Sequence, residues 1–120
     1  MDIETIKSIV REQMNKSSPE YLPYFYSLRW KVKKFRQKKG YNFVAFIRGN
    51  TVFIDKNNLT DNPRIVHIFE HELAHYIERE LYGFDKEEHG ERFFNIFEKI
   101  TGKKEREKYN RGVRVNDTTT

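Results

Sequence analysis

The stretch from Asp61 to Gly83, DNPRIVHIFEHELAHYIERELYG, decides how the rest of the chain is read. Ile65, Ile68, Phe69, Leu73, Ala74, Tyr76 and Ile77 recur at helical spacing and form a broad apolar stripe, so a buried helix is expected from about Pro63 to about Leu81. Asp61 and Asn62 are N-cap candidates, Pro63 suits a first helical position, and Gly83 suits a left-handed C-terminal one. Within this stretch lies His71-Glu72-Leu73-Ala74-His75, an H-E-x-x-H pattern. Side chains four residues apart share a helix face, so two imidazoles can hold one cation. Glu72, about 100° round the helix, can reach a water on that cation and act as general base. With this His and Glu content the pattern arises by chance on the order of 0.01 times, which disfavours the plainer reading of an exposed helical face.

A catalytic zinc usually takes three protein ligands and keeps a fourth position for water, so a third donor is required. The extended pattern H-E-x-x-H-x-x-G-x-x-H is absent, because Glu78 and Leu81 stand where Gly and His would be needed and no Met follows. His67 lies one turn before His71, but three successive turns span too great a distance for one ion, so it is read as a packing or supporting residue. His89 opens a second apolar-periodic stretch, Phe93, Phe94, Ile96, Phe97 and Ile100, and a helix folding back on the first brings it to the other two histidines. His89 is the preferred third ligand; Glu88, Glu91 and Glu78 are the competing donors.

H-E-L-A-H followed after thirteen residues by H-G-x-x-F resembles the SprT/Spartan-like zinc metallopeptidase domain, with His71, Glu72, His75, His89, Gly90 and Phe93 matching its pattern. The similarity covers about Leu28 to Gly102. It implies one zinc ion held by the three histidines, water activation by Glu72, close approach of two segments at Gly90, and a packing role for Phe93. It also implies a protein or peptide substrate, including proteins crosslinked to DNA. The family often carries a Cys in or near its H-E-x-x-H, whereas this chain has Ala74 and no Cys, which keeps a minimal gluzincin-like protease as the near alternative.

The remaining chain fits one small α+β domain over residues 1–102. Ile3, Ile6, Val10 and Met14 mark an amphipathic first helix, ended by Ser17-Ser18-Pro19; Tyr21, Leu22, Tyr24 and Phe25 mark a short second element. Leu28 to Lys33 alternates with period two, and Tyr41 to Arg48, a Gly49-Asn50 turn and Thr51 to Asp55 read as a hairpin, giving a short antiparallel sheet. By the zincin resemblance, one strand of this hairpin is the edge that pairs with an extended substrate.

Charge divides the chain. Arg29, Lys31, Lys33, Lys34, Arg36, Lys38 and Lys39 form a run without acids, a candidate nucleic-acid contact whose plainer reading is a solvated surface at net charge +5. Trp30 and Phe35 are candidates for base stacking or for the core. Residues 103–120 read as a basic, flexible tail. No signal peptide or membrane span is visible and Cys is absent, so a monomeric, cytoplasmic protein without disulfides is expected. Two functions from different classes emerge: a zinc endopeptidase, or a zinc-stabilised, proteolytically silent nucleic-acid-binding or regulatory domain. Tyr82 and Arg92 are the nearest candidates for oxyanion support, and neither can be assigned that role from sequence.

Overall fold

A computed structural model describes residues 1–83, 89–106 and 117–118. Helix α1 spans Ile3–Ser17, and Asp2 caps it by accepting the Thr5 amide hydrogen bond at 2.8 Å. Its Ile6, Val10 and Met14 are completely buried, as their spacing requires. A 3-10 turn at Pro19–Tyr21 leads into α2, Leu22–Tyr26, which presents Phe25 to the core. Then come β1 (Arg29–Lys33), β2 (Asn42–Phe43), β3 (Ala45–Arg48), β4 (Thr51–Asp55), α3 (Lys56–Asp61), α4 (Ile65–Tyr82), α5 (Glu91–Thr101) and β5 (Asp117–Thr118). The fold is α+β, with its helices packed against one face of a three-stranded sheet ordered β1-β4-β3.

The hairpin reading holds: β3 and β4 pair antiparallel across Gly49-Asn50, and Gly49 takes the positive φ of 60° that such a turn favours. The antiparallel expectation fails for β1, which pairs parallel with β4, Arg29 opposite Thr51 and Lys33 opposite Asp55. A tight turn forces antiparallel neighbours, but β1 reaches β4 only after the excursion through residues 34–50, long enough for a parallel crossover. The Tyr41 to Arg48 stretch is also not one strand. It breaks at buried Val44, whose carbonyl accepts the Asp55 amide, so β2 pairs with β5 and β3 with β4.

The entry to α4 differs from the cap expected at Asp61-Asn62-Pro63. Asp55 caps α3 by accepting from the Asn58 amide, and that helix consumes residues up to Asp61. Pro63 then disfavours helical backbone at Asn62, which sits extended at φ −94°, ψ 112°. The Asn62 side chain accepts from the Arg64 amide at 2.9 Å, and α4 begins at Ile65 without a side-chain cap. Its C-terminus falls at Gly83, as expected, with φ 80°.

Asp55 also holds the basic loop in place. One carboxylate oxygen accepts the Phe35 amide at 2.8 Å, while the other accepts the Asn58 amide and Asn58 Nδ2 at 3.1 and 2.7 Å. Asn58 in turn exchanges two hydrogen bonds with Asn42. Replacing this buried acceptor strands several buried donors. Asp55→Ala is expected to lower unfolding free energy by about 2–4 kcal/mol in denaturant melts, and to speed tryptic cleavage within residues 34–39 of the folded protein.

Candidate metal centre

His71 and His75 lie one turn apart in the middle of α4, whose apolar stripe, Ile65, Ile68, Phe69, Leu73, Ala74, Tyr76 and Ile77, is buried throughout. That burial fixes the azimuth of both rings. Helix α5 packs back along α4, and His89 stands just before it, ahead of Gly90, the N-cap residue. The three side chains converge. His71 Nε2 lies 3.2 Å from His75 Nε2 and 3.2 Å from His89 Nε2, and the donor atoms of all three fall within 4.8 Å of one another.

These distances fit a cation better than they fit hydrogen bonding. Each neutral imidazole carries one proton and one lone pair, so a single Nε2 facing two others cannot form a proper bond with both. Zn–N bonds of about 2.0–2.1 Å at tetrahedral angles place ligand nitrogens about 3.3 Å apart, close to the 3.2 Å found. Burial, reinforced by the neighbouring His75, His89 and His67, pushes the His71 pKa down to about 2. Burial, with His89 and Arg79, takes His75 to about 3. The rings are therefore neutral at ordinary pH, with lone pairs available to a metal. His89 is exposed, so the cluster opens toward solvent on that side.

One side chain supports all three rings. Phe93, itself fully buried, has its centroid 5.1 Å from His71, 4.4 Å from His75 and 4.9 Å from His89. Phe97 continues this floor under His71 at 5.5 Å and His67 at 5.3 Å. The sequence identified Phe93 as packing; its contact with every member of the triad emerges only when α5 docks. Gly90 is buried at φ −90°, a backbone conformation open to any residue, so no positive φ requires glycine there.

Glu72 is 2 % exposed, which removes the solvent-facing reading of the motif. Of the competing donors, Glu91 is turned to Arg106, whose Nη1 donates to both its oxygens at 3.0 Å, and Glu78 is buried outside the triad. Glu88, like Lys86, lies outside the described residues. His67 is no part of the cluster. Its Nε2 meets Glu105 Oε2 at 3.0 Å, and Glu105 is completely buried. Sequence reading missed Glu105 because it sits in a charged stretch after Gly102 that looks solvated. Within the segment read as a flexible tail, Arg106 bonds Glu91, Glu98 and Asn95, and Asp117–Thr118 pairs with β2. Lys108, Arg111 and Arg114 lie outside the described residues. Tyr82 and Arg92 stack on each other, guanidinium 4.4 Å from the ring centroid.

The seven cations from Arg29 to Lys39 are all exposed. The two aromatics among them are not free for bases: Trp30 packs on Phe69 at 4.6 Å, and Phe35 is buried against Phe46 at 5.5 Å. No helix among the described residues is long and apolar enough to cross a membrane.

The arrangement defines an α+β domain in which three histidines, positioned so that they could hold a metal ion, come together where two packed helices meet. A SprT-like family profile matches residues 8–118, and the chain belongs to that family. No curated protein and no solved structure shows significant similarity to it.

Phe93→Leu keeps apolar bulk and removes the flat floor; metal affinity measured by chelator competition is expected to fall about tenfold. In the metal-free protein two opposing pH dependences should overlap. Unfolded histidines titrate near 6.5, so the stability conferred by neutral His71 and His75 is present above that pH and lost as pH falls below it. Burial, with the neighbouring Glu105, raises Glu70 from 4.5 to about 7 against the opposing effect of Lys103, so its contribution is full below 4.5 and lost as pH rises through 7. Glu70→Gln is expected to abolish this second loss, on the order of 3 kcal/mol, in chemical melts across pH 4 to 8.

Proposed function

We propose that the protein is a zinc-dependent endopeptidase. The observation that carries the reading is the convergence of three imidazoles, with His71 Nε2 3.2 Å from the Nε2 atoms of both His75 and His89, beside a buried glutamate in the intervening position of the motif. An all-imidazole set with one side open suits zinc, which has no redox chemistry and tolerates an exchangeable fourth ligand. The chemistry zinc supplies at such a site is Lewis-acid polarisation of a scissile carbonyl and of the attacking water.

His71 and His75 stay neutral, and all three histidine rings rest against Phe93. Glu72 takes the proton from the attacking water and passes it to the departing amine nitrogen, which cannot leave as an anion. Burial keeps the Glu72 carboxylate away from bulk water, where its basicity is poorly directed. Strand β3 is an edge of the sheet and packs along α4, so an extended substrate has a backbone to pair with there. Action on DNA-bound proteins rests on the exposed loop cations Lys34, Arg36, Lys38 and Lys39, which are suited to phosphate contacts.

Glu72→Gln separates the peptidase from a silent zinc-stabilised domain. It is expected to abolish cleavage of unfolded protein substrates, tested with and without single- and double-stranded DNA, while zinc content by elemental analysis and the melting temperature stay nearly unchanged. His89→Ala is expected to lose the zinc as well. Wild-type protein loaded with zinc that cleaves nothing in any of these assays would favour the silent domain; cleavage of one partner only would indicate a dedicated substrate.

A further inference from the structure

The far edge of the sheet, opposite β3, is formed by β1. In the parallel ladder to β4 the Arg29 amide donates to the Asn50 carbonyl at 2.8 Å, which sets the alternation: the peptide groups of Arg29, Lys31 and Lys33 turn toward β4, and those of Trp30 and Val32 turn outward. No strand among the described residues lies on that side. The cover beneath this edge is incomplete, since Val32 points to the helix side and is still 37 % exposed. Below it runs a groove between α1 and β1, lined by Lys7, Arg11, Tyr26 and Trp30, with Glu4 as its one acid. Lys7 Nζ stands 5.3 Å from the Trp30 ring centroid.

We infer that the β1 edge is a docking site for an extended segment of a partner polypeptide carrying acidic side chains at alternate positions. Outward N–H and C=O groups alternate along β1, so the occupant must both accept and donate, which a polypeptide backbone does and a row of phosphates does not. Arg29, Lys31 and Lys33 share the outer face and are exposed. A strand added alongside brings every second side chain within about 5 Å of this row, where acids are attracted and bases repelled. Lysines on an edge repel uncontrolled pairing; here the same charges select an acidic partner. The intervening side chains of the partner face the groove, where Tyr26 and Trp30 offer aromatic surface and Lys7 and Arg11 extend the positive field.

Trp30 is the chain's single tryptophan and reports occupancy directly. Zinc-loaded protein is titrated with a ten-residue alternating Glu-Val peptide, its Lys-Val counterpart, the Glu-Val peptide N-methylated at alternate residues in either register, and a single-stranded oligonucleotide. The expected result is a saturable change in Trp30 emission with the acidic peptide and none with the basic one. Binding should weaken about tenfold in the Lys31→Glu/Lys33→Glu variant, and one of the two N-methylated registers, with charge intact and donors blocked, should lose it. The proposal is overturned if folded protein does not respond to the acidic peptide, if both N-methylated peptides bind as well as the parent, or if the oligonucleotide alone elicits the change.

Discussion

His71 Nε2 lies 3.2 Å from the Nε2 atoms of both His75 and His89, a convergence that costs desolvation and that a cation among the three rings would offset. Burial strips water from two of the rings, and their mutual proximity penalises protonation further. What holds them together is packing: α4 supplies two at fixed azimuth, the start of α5 supplies the third, and Phe93 touches all three. The helix pair therefore carries both the hydrophobic core and the geometry of the site. Loosening one loosens the other.

The same helix carries an unusual load of buried carboxylates. Glu70, Glu72 and Glu78 are each less than a tenth exposed, on a helix whose other inward residues are apolar. Glu70 lies beside Glu105, whose carboxylate meets His67, so the chain after α5 folds back onto the helix that presents the triad. Arg106 fastens that return by bonding Glu91 and Glu98 on α5. Buried charge of this kind contributes little net stability, and its usual use is to specify one arrangement over others. Here it ties the strap from Lys103 to Arg106 to both helices of the site.

The sheet divides the molecule's two sides. Its inner face, Ala45, Ile47, Val52 and Ile54, is buried against the helices. Its outer face stacks Phe46 on Phe53 under Lys33 and Arg48. Because β4 occupies the centre, the chain exposes two edges of different character: β3, and on the opposite side the cationic β1. Parallel pairing of β1 decides that separation, since an antiparallel meander in chain order would have buried one of these strands instead.

The linear chain by itself determined the elements whose cause is local. Helical periodicity marked α1, α4 and α5, the turn chemistry of Gly49-Asn50 marked the hairpin, and the spacing of His71, Glu72 and His75 marked the site, since neighbours along a helix are neighbours in space. His89 was legible because its apolar stretch required a helix returning on the first. Tertiary structure decided what depends on residues distant in sequence. It made β1 parallel, took Asp61 into α3 and left Pro63 outside α4, placed Glu105 against His67, and set one phenylalanine beneath three histidines. Those outcomes come from long loops and shared burial, which leave no periodic trace, so only the assembled chain reveals them.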